Sequence, residues 1–178
     1  MEGTIFPLRR TEWFHQNIIL DALPDYARCD TYIPSNDPDP LYMTGGNARE
    51  ADRWFRQAES DLVAAKISLE GGCFDWACFQ AQQSAAKAMK SVLYAAGYRK
   101  ILTHSLYELL LEYQKSADCM PSLEQEAKLL DNVYITSRYP NGLAGSMIPS
   151  EYYTKEDADR CLHSAGLILD AVQRCMPR

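Results

Sequence analysis

Residues 76–107 read WACFQAQQSAAKAMKSVLYAAGYRKILTHSLY and contain neither Asp nor Glu, in a chain that carries 24 acidic residues against 18 Lys plus Arg. Apolar residues recur at intervals of three and four along the first part of this stretch, which is the spacing of one face of an α-helix. Gly97 follows the last of them, and a glycine just past a helical run typically ends the helix. The stretch therefore predicts a long helix, a short break and the start of a second helix.

The basic residues of this stretch give it a local charge of about +4 in a protein whose net charge is −6. They are Lys87, Lys90, Arg99 and Lys100, and His104 follows them. A protein with a net negative charge does not coat nucleic acid or membrane over its whole surface, but a local cluster of cations can still bind an anion. We expect such a site at the break near Arg99 and His104. Lys87 and Lys90 either extend it or form the solvated face of their helix.

The composition fits a globular chain with one main domain. It has 178 residues, of which 47% are hydrophobic and 24% are charged. The sequence contains no run of about 18 apolar residues, the length that could span a membrane, and its start lacks a secretory signal. We therefore expect a cytoplasmic protein. The six cysteines form no Cys-x-x-Cys pair and the three histidines are far apart. We therefore expect reduced thiols and no metal site.

Helical periodicity also predicts helices on both sides of this stretch. Capping boxes mark three starts, at Asn47 with Glu50, at Ser122 with Gln125 and at Thr154 with Asp157. Another helix is expected to begin after Thr103, while the Gly-Gly pair at residues 71–72 and Ser137 are expected to end the first and fourth helices. No segment alternates for long enough to form a strand. The sequence predicts an all-α fold, an antiparallel up-and-down bundle of four to five helices over residues 47–178.

Residues 1–46 have a different composition. Three prolines and a Gly-Gly pair lie within residues 32–46, which is typical of an extended linker. One short helix is predicted over residues 11–23, where Thr11 can serve as the N-cap. We interpret residues 1–46 as an N-terminal extension that is either loosely packed or a binding segment.

Four segments resemble, in order and in spacing, the HEPN domain family. They are EADRWFRQAESDLVAAKISLEGGCFDWACFQAQQSAAKAMKSVLYAAG (residues 50–97), THSLYELL (103–110), SRYP (137–140) and PSEYYTKEDA (149–158). The resemblance covers about residues 47–176. Within the family it is strongest to the C-terminal HEPN domain of a giant chaperone, and nearly as strong to prokaryotic stand-alone HEPN proteins. It implies a bundle of four or five helices that usually forms a two-fold dimer.

The resemblance also implies one of two activities. Some members bind nucleotides, with ATP or GTP as the expected ligand here and no cofactor, and others are metal-independent endoribonucleases built on Arg-x(4–6)-His. Arg99 and His104 match that pattern with four residues between them. Lys100 stands where nuclease members commonly have a small polar residue, and Tyr107 falls one position later than the tyrosine of toxin-type members. These departures favour binding over cleavage.

Residue chemistry also supports a phosphate site. A guanidinium offers a planar fork to phosphate oxygens, and a histidine can move a proton near neutral pH. Because His104 is expected in the first turn of its helix, free backbone amides there would favour an anion; alternatively, His104 only caps that helix. Arg138 and Tyr139 can bind a phosphate and stack on a base, or Arg138 pairs with Glu151 and fixes the following loop. The phosphate-binding candidates are Lys87, Lys90, Arg99, Lys100, His104, Arg138 and Tyr139.

Three functions stay open on these observations. The first is a nucleotide- or phosphate-binding and dimerisation module of a chaperone or regulatory system, without strong catalysis. The second is a ribonuclease that uses Arg99 and His104, and the third is a dimerisation module alone. A homodimer is expected because the bundle has more aromatic side chains than it can bury; they are Trp54, Phe55, Trp76 and Phe79. Other expected partners are a nucleotide or RNA, and a larger chaperone or a nucleotidyltransferase.

Overall fold

The computed structural model of the chain describes residues 46–176, so the predicted extension and its short helix over residues 11–23 lie outside the described residues. Its elements are α1 (Gly46–Glu70), α2 (Phe74–Ala95), α3 (Leu106–Gln114), α4 (Glu124–Thr136), a 3₁₀ turn (Pro140–Gly142), α5 (Pro149–Tyr152) and α6 (Lys155–Cys175). No strand occurs among these residues. The predicted all-α helical bundle is confirmed, with five longer helices and the single turn of α5.

The helix predicted from residues 76–107 lies at the centre of the bundle. This helix, α2, contacts α1, α3, α4 and α6. Alanine is the commonest of its buried residues. Because alanine side chains are small, the neighbouring helices can approach the α2 backbone and bury the helix on nearly every side. Trp76, near its first turn, is an exception, since 48% of this residue is exposed.

Most of the predicted helix ends are confirmed. Gly72 and Gly97 have φ angles of 74° and 98°, which only glycine adopts without strain, and each lies two residues past the end of its helix, α1 and α2 respectively. Thr154 and Asp157 form the predicted capping box at the start of α6. The other two boxes are wrong. Gly46 already belongs to α1, so Asn47 lies inside that helix, and Leu123 is the N-cap of α4, without a capping side chain.

The cysteines also differ from the prediction. Cys119, after α3, and Cys175, at the end of α6, form a disulfide with their Cα atoms 5.8 Å apart. Cys73 is free and exposed, whereas Cys78 and Cys161 are free and buried. The expectation of reduced thiols throughout is therefore wrong for one pair, which links the α3–α4 connection to the end of the last helix.

The end of the long loop between α4 and α6 is held against α4. The loop contains the 3₁₀ turn and α5, and it ends at Tyr153, which is buried. The Tyr153 hydroxyl lies 2.5 Å from Oγ1 of Thr136 in α4. This contact fixes the end of the loop on the helix that it leaves.

Within the part of the chain that is described, no helix is long and apolar enough to cross a membrane. The same residues contain no group of three or more His, Cys, Asp or Glu that could hold a metal ion.

Candidate functional site

Four rings from three parts of the chain form a continuous aromatic row. His104, just before α3, stacks on Tyr134 of α4 with centroids 5.7 Å apart and planes at 21°. Tyr134 stacks on Phe79 of α2 at 6.1 Å and 7°. Phe79 meets Trp76 edge to face at 6.1 Å and 83°. All three spacings lie in the favourable range for aromatic pairs, so the row joins α2, α4 and the start of α3.

Arg138 lies at the Trp76 end of the aromatic row. Its guanidinium carbon is 3.7 Å from the centre of the Trp76 ring, and it forms an ion pair with Asp75. The two charged side chains are only 14% and 11% exposed, respectively. Arg138 therefore makes the predicted kind of contact, a pair with a carboxylate, but Asp75 takes the place that was expected for Glu151. This pair holds the end of α4 against the start of α2.

Two hydrogen-bonding side chains hold the backbone at the carbonyl of His104 and just after it. Gln82 of α2 donates from Nε2 to the His104 carbonyl oxygen at 3.1 Å. Asp131 of α4 accepts from the backbone amides of Leu106 and Tyr107 at 2.7 and 3.1 Å. The same carboxylate accepts from the Ser105 hydroxyl at 2.6 Å.

These contacts correct the expectation about the start of α3. Ser105 is the N-cap and α3 begins at Leu106, so His104 precedes the helix. The amides of Leu106 and Tyr107 bond to Asp131, and the Glu108 amide bonds to the Ser105 hydroxyl at 3.2 Å. The predicted free amides next to His104 are therefore occupied. An anion at this position would have to be held by side chains.

The connection between α2 and α3 presents three of the predicted site residues to solvent. Arg99, Lys100 and His104 are all exposed. Among residues 46–176, neither Arg99 nor Lys100 belongs to an ion pair. Lys100 also lies at the edge of a groove of about 470 Å³ between this connection and α3, with an apolar wall that includes Leu93, Ile101 and Leu109. The connection thus combines cations that form no ion pair among the described residues with a groove that is also lined by Glu108, Glu112 and Lys115.

Lys87 and Lys90 lie on a different face of α2. Lys87 forms an ion pair with Asp61 of α1. Lys90 is 7% exposed, and its ammonium is 5.7 Å from the centre of the Trp54 ring. Burial, and to a smaller extent the positive charge of Lys87, lower the pKa of Lys90 below its ordinary value. Lys87 and Lys90 come five and eight residues after Gln82, so their side chains point about 140° and about 80° away from it around the helix. Both contact α1 rather than the connection that carries His104.

A second cavity, of about 500 Å³, opens on this α1 side of the bundle. Its lining residues are Glu50, Arg53, Trp54, Arg56, Gln57 and Lys87. The cations in it are paired with carboxylates, Arg53 with Glu50 at 3.0 Å and Arg56 with Asp52 at 2.9 Å, in addition to Lys87 with Asp61. This cavity is therefore a weaker candidate for an anion than the connection after α2.

Sequence reasoning missed several residues of the site. The sequence analysis does not single out Tyr134, Gln82 or Asp131, and it names Trp76 only among the aromatic side chains expected to favour a homodimer. Gln82 carried a usable signal, because the helical period places it among the apolar residues Cys78 and Ala85, and a buried amide must find a partner. Tyr139, a predicted base-stacking residue, is 57% exposed and directly follows Arg138 in the chain.

A model of the HEPN domain matches residues 51–175 of the chain. The candidate toxin MJ1304 of Methanocaldococcus jannaschii is 30% identical over an aligned length of 141 residues, and the match covers 73% of this chain and 90% of that protein. Human sacsin is 25% identical over an aligned length of 140 residues, and the match covers 77% of this chain but only 3% of sacsin.

Solved structures show the same relationship. The protein TT1696 from Thermus thermophilus is 35% identical, with a TM-score of 0.67, over 71% of this chain and 98% of that one. The archaeal HEPN homologue ST0689 is 38% identical, with a TM-score of 0.58, over 70% of this chain and 95% of that one. An HEPN domain protein from Thermotoga maritima is 30% identical, with a TM-score of 0.54, over 68% of this chain and 94% of that one.

Proposed function

Because the chain belongs to the HEPN domain family, we propose that it is a nucleotide-binding and dimerising module of a chaperone or regulatory system, without strong catalysis. One observation carries the proposal: Arg99 and Lys100 are exposed cations without ion pairs among the described residues, on the same connection as the exposed His104. In a chain of net charge −6, such a cluster is the natural place for a phosphate.

The chemistry of the connection suits the phosphates of ATP or GTP. The Arg99 guanidinium can hold two phosphate oxygens at once, and Lys100 adds a point charge. With the α3 amides occupied by Asp131 and Ser105, these side chains would supply most of the attraction. A base can stack on an exposed aromatic side chain such as Trp76 or Tyr139, a contact worth about 1–3 kcal/mol.

A ribonuclease is the second candidate, favoured by the exposure and the fixed position of His104. Its imidazole is exposed and packs on Tyr134, while its backbone is held by Gln82. A relative from Methanocaldococcus jannaschii is named as a candidate toxin, and an exposed histidine suits proton transfer on a bound RNA. His104 would then transfer a proton at the ribose 2′-hydroxyl or at the leaving oxygen, and Arg99 would stabilise the charged phosphate.

A calorimetric titration with ATP, GTP and a short single-stranded RNA, together with a gel assay of RNA cleavage, tests the proposal. We expect nucleotide binding without cleavage. RNA cleavage that is abolished in His104→Ala would replace the proposal with the ribonuclease. Neither binding nor cleavage would leave dimerisation as the remaining function, provided that sedimentation equilibrium shows a species heavier than the 20.2 kDa monomer.

A further inference from the structure

We infer that Asp131 and Gln82 are positioning residues, which together fix the His104 imidazole on the Tyr134 ring. The inference deepens the proposed function, on which it rests, because it concerns the same site. Neither residue makes any of the ring contacts of His104; each acts through the backbone next to it.

The Asp131 carboxylate holds the chain just after His104. It accepts from the Leu106 and Tyr107 amides at 2.7 and 3.1 Å and from the Ser105 hydroxyl at 2.6 Å. Asp131 is also three residues before Tyr134, so both residues lie on one face of α4. The helix that supplies the ring on which His104 stacks therefore also holds the backbone that carries His104.

The Gln82 side chain holds the His104 residue itself. Gln82 is 0% exposed, and its Nε2 donates to the His104 carbonyl oxygen at 3.1 Å. Its Oε1 accepts from Nε2 of Gln83 at 2.7 Å. The amide is thus satisfied at both ends in a buried position, where an unpaired polar group would be costly. Such a contact restricts the peptide unit between His104 and Ser105 to one orientation.

The two contacts define what His104 presents to a ligand. Gln82 fixes its carbonyl from α2, and Asp131 fixes the next residues from α4, so the imidazole stays on Tyr134 without relying on an ion pair. The same carboxylate closes the amides of α3 to an anion. A phosphate at this site is therefore directed to side chains rather than to the helix N-terminus.

The NMR signals of the His104 ring protons, in ligand-free protein, test the inference. A proton above the face of an aromatic ring is shifted upfield, and His104→Gln identifies the signals among those of three histidines. We expect the signals to move downfield in Asp131→Ala and in Gln82→Met. Asp131→Asn keeps one acceptor and should restore much of the original shift. If Asp131→Ala does not fold, Asp131→Asn and Gln82→Met decide the matter.

Two control variants separate positioning from a general loss of stability. Asp157→Ala removes the capping carboxylate of α6, which bonds the Thr154 amide at 3.1 Å. Ser84→Ala removes a buried hydroxyl of α2 that donates to the Ala58 carbonyl at 2.6 Å. Both should leave the His104 signals in place.

Two results would overturn the inference. One is unchanged His104 signals in folded Asp131 and Gln82 variants, and the other is an equal shift in the control variants. Since these spectra need no nucleotide, they are independent of the proposed function. A failure to bind ATP, GTP or RNA would refute that function while the ring signals still report on the positioning of His104.

Discussion

Two pairs of cations that look alike in the sequence end in opposite environments. Lys87 and Lys90 belong to α2 and face α1, where one pairs with Asp61 and the other is buried beside Trp54. Arg99 and Lys100 follow α2 and are exposed, without an ion pair among the described residues. A cluster of charges along a sequence therefore does not identify a binding site. The acidic residues that neighbouring helices bring up decide which cations are left for a ligand.

Arg138 belongs to the most buried ion pair among the described residues, so its removal should have the largest effect on stability. Arg138→Ala would leave the buried Asp75 carboxylate without its partner, and we expect the free energy of unfolding to fall by about 3–5 kcal/mol. Arg53→Ala is the control, since its pair with Glu50 is largely exposed and worth about 0–1 kcal/mol. Denaturant unfolding measures both. Equal, small losses would mean that the Asp75–Arg138 pair contributes little to the fold.

Arg99→Ala should weaken nucleotide binding, because a charge-assisted hydrogen bond to phosphate is lost. We expect the binding free energy to fall by about 1–3 kcal/mol, with little change in stability. Lys100→Asn should weaken binding in the same direction and create no RNA cleavage. Arg56→Ala removes an exposed arginine from α1 and serves as the control in calorimetry. An affinity for ATP that is the same in Arg99→Ala and in the unmutated protein would place the site elsewhere.

Lys87→Ala tests the α1-facing pair of cations in the same way. Its partly exposed pair with Asp61 should contribute up to about 1 kcal/mol to stability. Nucleotide affinity should not change, because the Lys87 ammonium is neutralised by Asp61. Calorimetry under the conditions used for Arg99→Ala makes the two values comparable. A loss of affinity as large as that of Arg99→Ala would join the two regions into one site.

Lys90→Met should have the smallest effect, visible mainly in the pH dependence of stability. Since burial lowers the pKa of Lys90 below 10.5 in the folded protein, the unfolded chain binds more protons between the two values. The contribution of Lys90 to the free energy of unfolding therefore rises with pH between these two pKa values, and it is smaller at neutral pH than above that window. The methionine variant should lack this rise. Unfolding curves from pH 7 to the ordinary lysine pKa of 10.5, compared between the two proteins, measure the difference. Parallel pH curves would show that Lys90 is not perturbed.

The sequence was sufficient for features that depend on nearby residues. The helical period, the glycines after α1 and α2 and the capping box at Thr154 all involve residues a few positions apart. The Asp75–Arg138 pair joins residues 63 positions apart, and Asp131 reaches an amide 25 positions away. Such contacts follow from how helices pack. No local pattern could have shown that Asp131 would occupy the amides of α3 or that Lys87 would meet Asp61.

The central claim is that a phosphate binds at the connection after α2 and not on the α1 face. Backbone amide chemical shifts in NMR, recorded while ATP is added, test this residue by residue. We predict that the largest changes fall on Arg99, Lys100 and His104. We also predict that these changes shrink as salt is added, because the distance over which surface charges attract, roughly 8 Å at physiological ionic strength, becomes shorter in high salt. Largest changes at Arg53, Trp54 and Lys87, in the α1 cavity, would contradict the account.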